Sequence, residues 1–170
     1  LAMERCRGVL GVLTPAWCPA PGLRRSPGFI EPSHPTLREQ APPGVRWIHE
    51  IKFDGYRTQA HLHNGRPAIY TRRAYDWTRR FQTIADALTA LPANDLILDG
   101  EAVVADSRGI PDFGLLHTDL AAGRKDRLLY YAFDLLYVDG IDLRGAPLAE
   151  RRRRRNGKQG MIDLTGKVAL

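Results

Sequence analysis

Cysteine is nearly absent. The two present, Cys6 and Cys18, form neither a CxxC pair nor a metal-spaced cluster, which argues against a disulfide framework and against a zinc site. No apolar run approaches the roughly 20 residues needed to cross a bilayer. The stretch GVLGVLTPAW follows Arg5 and Arg7 as a secretory core would, but it is short and broken by Gly and Pro. A cytoplasmic protein with no membrane partner is the expectation. Internal repeats are lacking, and so is a broad excess of charge. The net charge is +6 with a pI near 9.7, yet five of the 25 basic residues sit in the single run Arg151 to Arg155. The rest of the chain is close to neutral, so charge alone is weak evidence for a nucleic-acid face. What remains is ordinary globular material: 170 residues, 44% hydrophobic and 26% charged, enough for one compact domain and too little for two well-developed ones.

Proline thins out sharply along the chain. Eight of the 12 lie in residues 1–46, which read as an irregular leader, with the folded part beginning near Trp47. From Trp47 to His63 the residues are strand-like and interrupted only at Asp54-Gly55, which predicts two strands joined by a tight turn or one strand with a bulge. RPAIYTR (66–72) adds a strand. In DWTRRFQTIADALTALP the apolar residues Trp77, Phe81, Ile84, Leu88 and Leu91 recur at helical spacing, with Asp76 as N-cap and Pro92 as stop. A strand over 95–106, a short helix over 111–123 and a long apolar strand over 127–140 complete an α+β pattern that lacks the regular alternation of a doubly wound sheet.

Chemistry concentrates at three acidic points. In WIHEIKFD a strand would place Glu50, Lys52 and Asp54 on one face and Trp47, His49, Ile51 and Phe53 on the other. Such a face is either a solvated edge strand whose opposite charges pair, or a nucleophilic amine held at a strand end with Gly55 admitting close approach of backbone or ligand. Glu101 follows an apolar strand and a DG step, and Asp134 interrupts a buried run. Each alone is weak, since Asp134 could be satisfied by local amides. Together they suggest a site spread across a sheet, to which Arg57 and Arg72 add the cations a phosphate ligand needs.

KFDG (52–55) resembles the KxDG motif of the covalent nucleotidyltransferases, the superfamily of DNA ligases, RNA ligases and capping enzymes. The wider set HEIKFDGYR, YTRRAYDWTRRF, ILDGEAVV, PDFGLLH and YYAFDLLYVDGIDLRG, in this order, is similar to the ATP-dependent DNA ligase domain of bacterial non-homologous end-joining ligases. The resemblance runs from about Gly28 to Glu150. It implies an α+β adenylation domain, ATP-grasp-like, with a mixed or antiparallel sheet and flanking helices. It implies ATP and Mg²⁺ or Mn²⁺ as cofactors, and nicked or broken double-stranded DNA and end-joining repair proteins as partners. Residue by residue, it implies that Lys52 attacks the α-phosphate, Glu50 lies beside the nucleotide, and Arg57 and Arg72 contact ribose and phosphates. Glu101 would bind ribose or support the metal, and Phe133 would stack on adenine.

The match is uneven. Ala74 stands where the family usually has glycine in the turn after the TRR arginine, and a positive φ would strain it there. The EGxV-type motif, the later lysine-bearing motif and the OB domain of the family are not found in this sequence. The resemblance therefore implies a partial adenylation domain over 28–150, between a leader over 1–27 and a basic, solvated tail over 151–170, with an incomplete active site. MIDLTGKVAL, the last ten residues, resembles the opening strand of a short-chain dehydrogenase. The alternative function is a non-catalytic nucleotide- or DNA-binding remnant.

Overall fold

The computed structural model describes residues 25–33 and 52–155, with side chains to Arg152. Glu50, both cysteines, most of the leader and the dehydrogenase-like stretch lie outside the described residues.

Among the described residues five strands form one antiparallel sheet in the order β2-β1-β3-β4-β5. They are β1 (Tyr56–His63), β2 (Arg66–Thr71), β3 (Leu96–Val104), β4 (Leu128–Val138) and β5 (Ile141–Asp142). Two hairpins close on paired positive-φ residues, Asn64-Gly65 (φ 49 and 72) between β1 and β2 and Asp139-Gly140 (φ 41 and 87) between β4 and β5. Asn-Gly and Asp-Gly turns of this hand match the twist of the strands they join. The short β5 is an element that composition did not announce.

Helices α1 (Gln82–Leu88) and α2 (Phe113–Ala121) cover one face of the sheet. The helix anticipated over 76–92 is shorter than its apolar period. Asp76 Oδ1 accepts from the Thr78 amide at 2.9 Å and from its hydroxyl at 2.6 Å, so it closes a local turn instead of capping α1. Its periodic residues still reach the core: Phe81, Ile84, Leu88 and Leu91 are buried beside Leu62, Leu98, Val104 and Tyr130. Asp112 caps α2 by accepting from the Leu115 amide at 2.9 Å.

Tyr130 is fully buried and lies across Gly100. A Cβ there would stand 2.5 Å from the ring and 2.6 Å from the Tyr131 carbonyl. The Tyr130 hydroxyl donates toward the Thr58 carbonyl at 3.0 Å, with the Leu98 carbonyl at 3.3 Å. The glycine of LDGE is therefore a packing requirement of the strand pair.

The expectation of a solvated segment beginning at Arg151 is corrected by α3 (Leu148–Arg155). Arg151 donates from Nε and Nη2 to the Asp134 carboxylate at 2.7 and 2.8 Å, and from Nη1 to the Ala146 carbonyl at 2.9 Å. A bidentate guanidinium fork fixes a geometry that charge-run statistics do not anticipate.

Candidate active site

The site forms on the sheet face opposite α1 and α2. Arg57 on β1 pairs with Glu101 on β3, and Gln59 pairs with Asp99, so these four side chains share that face. The register of β4 slips twice against β3, between Asp99 and Gly100 and between Ile97 and Leu98. Phe133 and Leu136 are left without a partner residue, as in β-bulges. In consequence Phe133 and Asp134 both face the site, while Ala132, Leu135 and Val138 stay in the core.

Arg57 is held on three sides. Its Nε and Nη2 donate to Asp99 at 3.3 and 2.7 Å, its Nη1 donates to the Ser33 carbonyl at 3.2 Å, and its guanidinium lies 5.4 Å from the centre of the Phe133 ring. Burial pushes the Asp99 carboxyl up, and Arg57 pulls it back only in part. The same hydrogen bonds raise Arg57 above its ordinary value. The two shifts oppose each other for an ionised pair. We favour the ionised form, because a guanidinium keeps its proton in proteins and two well-formed bonds reach the carboxylate. Glu101 is pushed up to about 7, first by burial, with Arg57 and a hydrogen bond from the Gly55 amide working against the rise.

Lys52 and Asp54 do not lie on the strand. β1 begins at Tyr56, and residues 52–55 run as irregular chain bent at Gly55. The reason is steric: a Cβ at Gly55 would stand 2.3 Å from the Ala102 carbonyl and 2.7 Å from Val103 Cγ1. The chain passes over β3 at a distance that only glycine allows. The alternating charged face read from the sequence is therefore replaced by a loop in which Lys52 is exposed and Phe53 half-buried. Phe53 stacks on Tyr131, with ring centres 4.1 Å apart and planes 9° from parallel.

Arg72 is exposed in the turn after β2, and its amide donates to the Arg57 carbonyl at 3.2 Å. That bond sets the two arginines side by side along the strand ends. Ala74, in the same turn, has φ 61. Lys52, Arg57, Arg72, Glu101 and Phe133 thus gather at one end of the sheet, and Glu50 lies outside the described residues. Asp99, Phe53 and Tyr131 belong to the same cluster and were missed. Only the Asp-Gly step before Glu101 hinted at Asp99.

Among the described residues no group of three or more His, Cys, Asp or Glu side chains is placed to hold a metal ion. Asp99 is engaged by Arg57, whereas Glu101 accepts from the Gly55 amide at the end of the loop.

The family model for the ATP dependent DNA ligase domain matches residues 36–155. The chain is 41% identical over 133 residues to the multifunctional non-homologous end joining protein LigD of Pseudomonas aeruginosa, covering 78% of this chain and 16% of that protein. It is 40% identical over 117 residues to DNA ligase B of Mycobacterium tuberculosis, covering 64% of this chain and 23% of that one. Among solved structures, the ligase domain of M. tuberculosis LigD superposes with a TM-score of 0.53 at 36% identity, over 61% of this chain and 34% of that one. A mycobacterial DNA ligase D complexed with ATP and MES gives 0.52 at 31% identity, over 66% and 36%. The chain spans less than a quarter of these curated relatives. With this sheet, this site and these relatives, it belongs to the ATP-dependent DNA ligase domain family.

Proposed function

We propose that this chain carries the adenylation site of an ATP-dependent DNA ligase, with Lys52 as the acceptor of the adenylyl group. The observation that carries the reading is the tight passage of Gly55 over β3. It brings the loop bearing Lys52 to the end of the sheet where Arg57, Glu101 and Phe133 stand. In the step itself, the lysine amine forms a bond to the α-phosphorus of ATP, pyrophosphate leaves, and the amine gives up a proton.

This chemistry depends on positioning and on neutralising the phosphates. Arg57, fixed by Asp99, offers a preorganised cation, and Arg72 offers an exposed one. Phe133 offers an aromatic face to adenine, a face over which Arg57 now lies. A divalent cation would neutralise charge on the triphosphate. Glu101 fits as its single protein ligand, because Mg²⁺ commonly takes one or two carboxylates and completes its shell with phosphate oxygens and water. Transfer of the adenylyl group to a 5′-phosphate at a break in duplex DNA, within end-joining repair, is the use we propose for the loaded site. Among the described residues no helix is long and apolar enough to cross a membrane, and we propose a cytoplasmic setting.

The test is intact-mass measurement of the whole chain after incubation with ATP and Mg²⁺, followed by peptide mapping. One AMP on Lys52, absent from a Lys52→Arg variant, supports the reading. AMP on Lys125, Lys158 or Lys167, or none at all, overturns it.

A further inference from the structure

Phe53 lies between the lysine and the aspartate of KFDG. Its ring lies flat on Tyr131, which stands directly opposite Glu101 in the β3–β4 register. We infer that Tyr131 is a positioning residue for the lysine nucleophile, acting through Phe53. The inference rests on the reading of Lys52 as the adenylyl acceptor and names the device that aims it.

The backbone around Lys52 needs such a device because it has no strand to hold it. Residues 52–54 make no ladder hydrogen bonds, and Lys52 itself is exposed. On the C-terminal side the loop is fixed by Gly55, which is pressed against Ala102 and donates its amide to Glu101. One fixed point leaves the preceding residues free to pivot. The Phe53–Tyr131 stack supplies a second fixed point immediately beside the lysine, on a strand held through the β3–β4 ladder. Two anchors immediately C-terminal to a reactive side chain restrict its approach, and misplacement by about 1 Å can cost a hundredfold in rate.

The ring carries this role, not the hydroxyl. No hydrogen bond is made by the Tyr131 hydroxyl among the described residues, whereas the two ring faces lie nearly parallel with centres 4.1 Å apart. A phenylalanine at 131 should therefore substitute fully. Tyr131 is also distinct from the aromatic residue proposed for adenine, since Phe133 projects from the bulge toward Arg57 and takes no part in the stack.

The experiment measures the rate of AMP attachment to Lys52 over a range of ATP concentrations for the wild-type chain, Tyr131→Phe, Tyr131→Ala and Phe53→Leu. Amide hydrogen exchange is followed at residues 52–54. Tyr131→Ala should lower kcat at least about tenfold while leaving the KM for ATP within about twofold, and should accelerate exchange at Phe53 and Asp54. Tyr131→Phe should match the wild type in both measurements. Phe53→Leu removes the same contact from the exposed side and keeps the test available if Tyr131→Ala fails to fold. The double variant should be no slower than the slower single one, since both changes break one contact.

Wild-type loading by Tyr131→Ala or Phe53→Leu overturns the inference and leaves Lys52 as acceptor. So do additive losses in the double variant, or a Tyr131→Phe variant as slow as Tyr131→Ala. A wild-type chain that carries no AMP on Lys52 overturns the reading of the lysine, and the positioning role falls with it.

Discussion

The two faces of this sheet are buried by opposite means. On one, Leu98, Ala102, Val104 and Tyr130 pack against Phe81, Ile84, Leu88 and Leu116 with almost no exposed surface. On the other, Arg57 is bonded to Asp99, Arg151 to Asp134, and Glu101 accepts from the Gly55 amide, under residues 25–33 and α3. An apolar face gains stability from area and tolerates small rearrangements. A charged face has little such latitude, since each partner is costly to leave unpaired. The lesson is that the stability of the domain and its chemistry are written on opposite sides of the same strands.

The most severe way to break that separation is at Gly100, where the two faces meet. Gly100→Ala would drive a Cβ into the Tyr130 ring and the Tyr131 carbonyl, 2.5 and 2.6 Å away. Neither can retreat without moving β4, so we expect a loss of about 3 kcal/mol in urea unfolding. Next in size is the charged face. Asp99→Asn keeps the shape but leaves Arg57 without its anion. Breaking a fully buried pair costs about 3–5 kcal/mol, and the partial exposure of Arg57, 26% at its side chain, brings our expectation to about 2 kcal/mol. An Asp99→Asn variant as stable as the wild type would show that the pair orients Arg57 without holding the fold.

A third experiment sharpens the comparison through pH. His61, on the site face near Gln59, is pushed down to about 4 by burial, and Glu101 is pushed up to about 7. Between pH 4 and 6.5 the unfolded chain binds more protons at His61 than the folded one, so that group makes stability rise with pH. Between pH 4.5 and 7 the folded chain holds the Glu101 proton more tightly, so that group makes stability fall. The two contributions oppose one another across the shared window. Glu101→Gln removes one of them, and thermal unfolding should then show a steeper rise from pH 4.5 to 6.5. It should also show a gain of about 1–2 kcal/mol at pH 8, a figure already reduced for the partial exposure of Glu101. Unchanged pH dependence would mean that Glu101 titrates as in the unfolded chain.

The smallest expected effect lies at the edge, where neither face is involved. Ala74 sits at φ 61 in the turn beside Arg72. Ala74→Gly should relieve about 1 kcal/mol of left-handed strain, less the extra entropy glycine carries in the unfolded state. A rise in melting temperature of about one degree checks it.

Much of the apolar face was legible in the sequence because its signals are local. The spacing of Phe81, Ile84 and Leu88, the strand character of 95–106 and the glycine after Asp54 each follow from residues a few positions apart. The residues of the site were legible only through the spacing of motifs. Their arrangement was not, because it depends on distant pairings. Asp99 meets Arg57 across 42 positions and Arg151 meets Asp134 across 17, and no composition rule marks either. The Phe53–Tyr131 stack was hidden for a related reason. Treating 47–63 as strand put Phe53 on the apolar side, and the bend forced by Gly55 carried it over to Tyr131. The arginine run read as solvent-loving by charge, yet it is helical through Arg155, with Pro147 one residue ahead of α3, near the first-turn position proline favours.

The double slip in β4 has a bearing on how such a strand can change length over evolutionary time. Seven residues, Tyr131 to Tyr137, lie opposite five, Ile97 to Glu101. Each bulge sets two consecutive residues on the site side, so Leu135 between the bulges and Val138 beyond them both keep their place in the core. Deleting Phe133 or Leu136 alone would close its bulge and leave the core residues in step, whereas a single deletion elsewhere in the strand would turn the hydrophobic set outward. Loss of both surplus residues together would leave the core in step while erasing Phe133 and Leu136. Insertions and deletions in this strand are therefore admissible one residue at a time at the two bulges, and a lineage could discard or rebuild the aromatic side of the site without renegotiating the interior.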